Sequence, residues 1–345
     1  MRIAVVGVSR AGAALAKRLA CALPGGEPYL HTPEQPVGVL LPRLFGDPSV
    51  DGLVVVLALG ATVRLLAPHL GNKDDDPAVV AVDDQGRFAV ALVSGHRGGA
   101  NVLAERVADA IGATAVVTTA SDGAGLLAVD LLGADEAWRI EATPEALRHA
   151  AAAVVNGAPV GVYQDAGARA WRDGGIPAGV RWLERLEDAS AHDLVAVLMI
   201  TDRLLSAPNG SPWRVVYRPP TLVVGIGCSR GATEDEIGAT IDLALEQGGL
   251  ARASLAHVAT IDRRHQEPGL RAYAARLGLA VSAFSAHELA QVVGVPTPSE
   301  VVRQAVGTPG VCEPAALLAS GAAELLVPKV KTGRVTAAIA RIVGS

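Results

Sequence analysis

The opening run Met1-Arg2-Ile3-Ala4-Val5-Val6-Gly7-Val8-Ser9-Arg10-Ala11-Gly12 decides the fold class. Residues 3–8 are a short apolar block closed by a glycine-containing turn, which reads as a first β-strand. An Ala-rich segment of helical period follows at once, over 11–21. The same alternation continues outward. Apolar runs at 53–59, 78–82 and 88–93 precede a helix-period segment at 101–111 and a further strand at 115–119. Such alternation predicts βα units and a mostly parallel sheet, in an N-terminal α/β domain of residues 1–133.

Beyond this block the texture changes. Trp138, Trp171, Trp182 and Trp213 are the only four tryptophans, and all fall within 134–219. Turn sequences at Asn156-Gly157-Ala158-Pro159 and Asp173-Gly174-Gly175-Ile176-Pro177 frame candidate strands at 154–163 and 193–201. This is a small middle α/β domain, with Arg218-Pro219-Pro220 as its exit. From Thr221 the pattern restarts with a strand at 222–226, a glycine turn and a helix opened by the capping box Thr233-x-x-Glu236. Strands near 256–261, 279–284 and 324–327 follow, with helices near 269–277, 285–293 and 313–319; Ser285-x-x-Glu288 is a second capping box. Gly333-Arg334 separates two last apolar runs that fit a hairpin or a short helix equally well. The expected architecture is three consecutive α/β domains, 1–133, 134–219 and 220–345, the first and third with mostly parallel sheets flanked by helices. A chain of 345 residues suits two or three domains at roughly 150 residues each.

Composition narrows the function. Half the residues are hydrophobic but only 3% aromatic, so the core is built from Ala, Val and Leu. A net charge of -5 and no dense Lys/Arg run argue against nucleic acid or an anionic membrane as main partner, leaving a small ligand. Cys21, Cys228 and Cys312 are too far apart for a disulfide framework or a conventional zinc site. Neither a signal peptide nor a stretch of about 18 apolar residues is present, so the cytosol is the expected compartment.

Several segments carry candidate chemistry. Gly7 to Gly12 sits like a dinucleotide-binding loop, but Ser9 replaces the glycine that admits a pyrophosphate, and Tyr29-Leu30-His31-Thr32 lacks the acidic ribose partner. Ser94-Gly95-His96-Arg97-Gly98-Gly99-Ala100-Asn101 joins a strand to a helix with three glycines around His96 and Arg97. Backbone N–H groups at such a junction bind carboxylate or phosphate. His96 reads either as a general acid–base or as a histidine that fixes a tight turn. Asp76 before Pro77 suits a turn, whereas Asp74 and Asp75 read as solvated. Thr118-Thr119-Ala120-Ser121-Asp122 closes a strand where open α/β sheets bind ligands; Asp122 reads first as a helix cap and second as a partner orienting His96. Gly225-Ile226-Gly227-Cys228-Ser229-Arg230-Gly231 repeats the glycine junction, with Arg230 available to a carboxylate and Cys228 better read as a packing residue than as a nucleophile. Asp262, Glu267, Glu313, Lys329 and Lys331 stand at predicted element ends.

Taken together, these segments resemble the CbiG family. Ala58 to Arg64, Asp76 to Val80, Ser94 to Asn101 and Thr118 to Asp122 are similar to its N-terminal region. Gly225 to Gly231, Ala259 to Asp262, Glu267 to Leu270, Val311 to Leu317 and Lys329 to Arg341 are similar to its C-terminal domain, which CobE-type proteins share. Arg263 and Arg264 stand where the family often has lysine, and the first 45 residues carry no strong signature.

The resemblance implies a cobalt-precorrin-5A hydrolase of cobalamin biosynthesis, which opens the ring-A δ-lactone and releases a two-carbon fragment as acetaldehyde. The cobalt then arrives inside the substrate, and no resident cofactor or metal is expected. In this chemistry His96 is the expected base or proton shuttle, Gly98 and Gly99 offer oxyanion donors, and Asp122 orients His96. Arg64, Arg97 and Arg230 are expected to hold the macrocycle's acetate and propionate arms. Ser94, Asn101, Thr119, Gly227, Cys228 and Glu313 complete the expected substrate contacts. Other enzymes of the pathway are candidate partners. A non-catalytic carrier of corrinoid intermediates is the rival reading, and a nucleotide-dependent oxidoreductase a third.

Overall fold

Six strands form the first sheet: β1 (Ile3–Gly7), β2 (Gly26–Leu30), β3 (Gly52–Val56), β4 (Ala78–Val82), β5 (Phe88–Val93) and β6 (Thr114–Val116), in the order β2-β1-β3-β4-β5-β6. In the computed structural model, which describes residues 1–71, 75–95, 99–118, 127–172, 179–190, 193–205 and 213–344, this sheet belongs to one of two compact units. The units are Met1–Leu131 and Leu132–Ser345.

β1, β3 and β4 are buried along their whole length because helices cover both faces. Ile3, Val5, Val54 and Val80 meet Leu15, Leu19, Leu103 and Val107 of α1 (Arg10–Ala22) and α4 (Ala100–Ile111). Ala4, Val6, Leu53 and Val55 meet Leu40, Leu44 and Leu66 of α2 (Val37–Phe45) and α3 (Leu59–Leu66). The apolar run expected as one strand over 53–59 therefore divides, its strand ending at Val56 and its last residue opening α3. Ser9 is the N-cap of α1, accepting from the Gly12 N–H at 2.9 Å. Gly7 is required by close packing, since a Cβ there would lie 2.7 Å from the Ala13 Cα.

β1 to β4 run parallel, but β5 returns antiparallel to β4. The two apolar runs at 78–82 and 88–93, read from sequence as βα units, are thus a hairpin. Residues 83–87 are too few for a crossover, which needs a dozen or more. Asp83 Oδ1 closes the turn by accepting from the N–H groups of Arg87 (2.7 Å) and Phe88 (2.8 Å).

The second unit holds two five-stranded sheets. The first comprises β7 (Arg139–Glu141), β8 (Val160–Gln164), β9 (Val180–Leu183), β10 (Ala196–Ile200) and β11 (Trp213–Arg218), ordered β7-β11-β10-β8-β9. Val154 and Val155, expected in a strand, instead end α5 (Pro144–Val155), whose start is fixed by the Thr143 cap and a proline in its first turn. Trp138 packs edge-on against Tyr217, Trp213 stacks on His149 at 4.4 Å, and the Arg172 guanidinium lies 3.5 Å from the Trp182 ring centroid.

The last sheet comprises β12 (Leu222–Cys228), β13 (Leu255–Ile261), β14 (Ala280–Phe284), β15 (Val327–Thr332) and β16 (Val335–Arg341), ordered β14-β13-β12-β16-β15. β12, β13 and β14 are parallel; β16 runs antiparallel to both β12 and β15. The terminal segment is therefore a hairpin, turning at Gly333, whose φ of 52° favours glycine. Its first strand begins at Val327, later than the 324–327 expected.

One face of this sheet packs on α6 (Glu234–Gly248) and α7 (Pro268–Leu277) through Ile237, Ile241, Leu270 and Tyr273. Three further helices follow: α8 (Ala286–Ala290), α9 (Glu300–Val306) and α10 (Cys312–Ser320). Both capping boxes form, at Thr233/Glu236 and Ser285/Glu288. α10 covers the opposite face with Cys312, Ala315 and Ala316. Among the described residues no helix is long and apolar enough to cross a membrane.

Candidate functional site

The carboxyl end of β12 meets the amino end of α10 because small residues let them approach. A Cβ at Gly225 would collide with the Cys312 carbonyl and come within 2.7 Å of the Ala316 nitrogen. At Gly227 a Cβ would lie 2.6 Å from Thr336 Oγ1, which donates to the Gly227 carbonyl at 3.1 Å. Beside this junction opens a cavity of about 990 Å³. It lies outside the carboxyl ends of β12 and β13, where α/β sheets bind ligands.

Charge is its main feature. Arg230, Arg263, Arg264, Lys329, Lys331 and Arg334 all line it, against a single carboxylate, Glu313. Arg264 pairs with Glu267 at 3.7 Å, and Arg334 with Glu236 at 2.8 Å. Arg230, Arg263, Lys329 and Lys331 make no ion pair with a carboxylate among the described residues. A cleft lined by one sign of charge focuses the field and draws in anions.

Glu313 is 1% exposed, and its carboxylate is held by donors. Its Oε2 accepts from Thr297, from the N–H at 3.2 Å and from Oγ1 at 2.8 Å; its Oε1 accepts from the Lys329 N–H at 3.0 Å. Lys329 Nζ in turn donates to the Thr297 carbonyl at 2.9 Å. The carboxylate thus ties the segment before α9 to β15 and fixes the lysine's backbone. Cys228 is half-buried and Cys312 buried, and each thiol is pushed up to about 11 chiefly by desolvation, so neither is a thiolate near neutral pH.

A second cavity, of about 680 Å³, lies in the Met1–Leu131 unit at the amino ends of β3 and β4. Asp47, Asp51, Asp75 and Asp76 line it, a charge that repels carboxylate ligands. Among the described residues no group of three or more His, Cys, Asp or Glu side chains is arranged to hold a metal ion.

The structure brings together four of the residues singled out from sequence: Gly227, Cys228, Arg230 and Glu313 all line the larger cavity. In the other unit, Arg64 is exposed on α3 and donates to the Gly60 carbonyl of its own helix at 3.0 Å. Ser94 adopts a left-handed conformation (φ 57°) and donates from Oγ to the Asp76 carbonyl at 2.8 Å. Asp76 in turn accepts from the Gly71 N–H at 3.1 Å, holding the turn that the sequence suggested. Gly99 is the left-handed cap of α4. The Ala100 and Asn101 N–H groups donate to the carbonyls of Ser94 (3.1 Å) and Gly95 (3.0 Å), so those two donors serve the loop itself. Asn101 is buried, with Oδ1 close against Gly95. His96, Arg97, Gly98, Thr119 and Asp122 lie outside the described residues.

Sequence reasoning gave Thr297, Arg334 and Thr336 no role at a site. The return of β16 beside β12 carries Arg334 and Thr336 to the cavity, whereas Thr297 reaches it from the segment before α9.

Family models cover most of the chain: cobalamin synthesis G N-terminal over residues 41–122, cobalamin biosynthesis central region over 127–219, and cobalamin synthesis G C-terminus over 222–340. A cobalt-precorrin-5A hydrolase of Priestia megaterium is 37% identical over 310 residues, 89% of this chain and 82% of the relative. The chain belongs to the CbiG family. A second member, the cobalt-precorrin-5A hydrolase of Salmonella typhimurium LT2, is 33% identical over 79% of this chain and 77% of its own. Protein CobE of a Sinorhizobium species is 36% identical over 121 residues, 34% of this chain and 79% of that protein. The C-terminal family model spans every strand of the last sheet and the cationic cavity.

Proposed function

We propose that the chain is a hydrolase of cobalamin biosynthesis that acts on cobalt-precorrin-5A, opening its ring-A δ-lactone with water and releasing acetaldehyde to give cobalt-precorrin-5B. Relatives bearing that name, matched over 82% and 77% of their own length, support the substrate. The observation that carries the reading is the cavity of about 990 Å³ with six basic side chains, suited to a large macrocycle edged with carboxylates. The proposed setting is the cytosol, with a corrinoid rather than nucleic acid or membrane as partner. Cobalt enters as part of the substrate.

Lactone opening requires a group that deprotonates water and donors for the acyl oxyanion. In this reading His96 is the base or shuttle, Asp122 orients it, and the N–H groups of Gly98 and Gly99 receive the developing charge. Burial keeps Cys228 protonated, which disfavours it as a nucleophile. The carrier reading draws on a different observation: the cationic cavity lies within the segment that CobE resembles, so that segment alone holds the elements of a binder.

Anaerobic incubation with cobalt-precorrin-5A separates the two. A hydrolase releases acetaldehyde and lowers the macrocycle mass, and His96→Ala abolishes both while the fold persists. Binding with no mass change favours the carrier.

A further inference from the structure

The geometry points to the cavity at the β12–α10 junction as a carboxylate-binding site, in which Arg230, Arg263, Lys329 and Lys331 pair with the acidic arms of a flat polycarboxylate. This assignment rests on the corrinoid reading above for its ligand. Its argument is electrostatic and local.

The chain has 35 acidic and 30 basic residues, so partners for cations are plentiful. Elsewhere in the same domain four of the five basic residues are paired, Arg252 with Asp242, Arg276 with Glu234, Arg303 with Glu300 and Arg341 with Asp202; only Arg271 makes no ion pair among the described residues. Around the cavity, four of six basic groups make no such pair among the described residues. Gathered like charges repel each other, weakly where water reaches them and more strongly as the cavity excludes water. Binding a polyanion removes that repulsion.

The supply of these groups is distributed. Arg230 comes from the turn after β12, Arg263 from the turn after β13, and Lys329 and Lys331 from β15, so three separate elements of the sheet supply the charge. Glu313, the one carboxylate present, is occupied by Thr297 and Lys329 and does not neutralise them from within the cavity. It is an anchor of the site rather than a ligand of the substrate.

The test is a fluorescence titration of the full chain with uroporphyrin, a stable flat macrocycle rimmed with acetate and propionate arms. Coproporphyrin, which has fewer carboxylates, is the comparison. The site predicts tighter binding of uroporphyrin, and a loss of about three- to tenfold in Arg263→Gln and in Lys331→Gln, as expected for partly exposed charge pairs to a ligand. Arg185→Gln changes the net charge equally at an exposed position remote in sequence and should leave binding unaltered. Melting temperatures establish that each variant is folded. Wild-type affinity in both folded cavity variants overturns the proposal, as does an equal loss in Arg185→Gln, which would mark an effect of net charge alone.

Turnover distinguishes this failure from failure of the hydrolase reading. If cobalt-precorrin-5A is hydrolysed with KM unchanged in the cavity variants, the site falls and the hydrolase stands. If the wild type does not hydrolyse it, yet uroporphyrin binding depends on Arg263 and Lys331, the site stands and the hydrolase reading falls.

Discussion

The fully buried carboxylate of Asp202 receives both Nε and Nη2 of Arg341, each at 2.7 Å, and the Thr221 hydroxyl at 2.8 Å. Asp202 follows β10, whereas Arg341 ends β16, so the contact joins the middle sheet's connections to the sheet that frames the cationic cavity. The Ala251 N–H also donates to the Asp202 carbonyl at 2.7 Å. Removing one partner of such a buried pair leaves a charge uncompensated. Asp202→Ala should therefore destabilise the protein by about 3 kcal/mol, the low end of the range for buried pairs because Arg341 keeps some solvent access. Urea unfolding of the variant beside the wild type measures it; a loss below about 0.5 kcal/mol, typical of a surface pair, would refute the claim.

Close packing at Gly225 sets a second expectation. A methyl group there collides with the backbone of Cys312 and Ala316, which have no flexible atoms to yield. Gly225→Ala should force α10 away from β12 at a cost of about 1–3 kcal/mol or more. The displacement should also weaken uroporphyrin binding, because Glu313 and its anchor move with the helix. An unchanged melting temperature would show that the sheet and α10 are less tightly joined than described.

Acid sensitivity follows from Glu236. Its hydrogen bonds from Arg334, with those from Thr233, lower its pKa from 4.5 to about 2 in the folded protein. A depressed carboxylate contributes stability that is complete above the unfolded value and is lost as pH falls through the folded one. The window is thus about pH 4.5 down to about pH 2. Melting temperature plotted against pH should fall less steeply there for Glu236→Gln than for the wild type, and parallel curves would contradict the assignment.

Thiol chemistry separates the cysteines. Cys21 is exposed, whereas Cys228 and Cys312 have thiols raised to about 11. Iodoacetamide at pH 8 should label Cys21 first in the folded protein and all three after denaturation, as read by intact mass. Cys228→Ser should retain turnover within a few-fold; loss of activity with the fold intact would restore Cys228 as a catalytic candidate.

How far these features could be read in advance depended on whether their causes were local. Thr233 and Ser285 announce helix starts through bonds within one turn, and both capping boxes form, whereas Ser9 was read only as a break in a glycine loop and proves to be the cap of α1. The reversal at β5 was missed because its apolar run resembles those of parallel strands; only the short connection at 83–87 distinguishes it. α2 was missed because Pro42 lies inside it, a residue that ordinarily breaks a helix. In the cavity, Arg230 was visible at a glycine junction, but Arg334 and Thr336 arrive there through the long-range pairing of β16 with β12. Glu313 was read as a substrate contact from its place at a helix start, but its bonds from Thr297 and Lys329 come from distant segments and were not legible there.

The most direct measurement of the central claim is the quantity of acetaldehyde released when purified protein is mixed anaerobically with cobalt-precorrin-5A, set against the macrocycle consumed. Hydrolysis of the lactone with loss of the two-carbon fragment predicts one acetaldehyde for each macrocycle converted, and none from His96→Ala. Macrocycle bound and recovered unchanged, with no acetaldehyde, would contradict it.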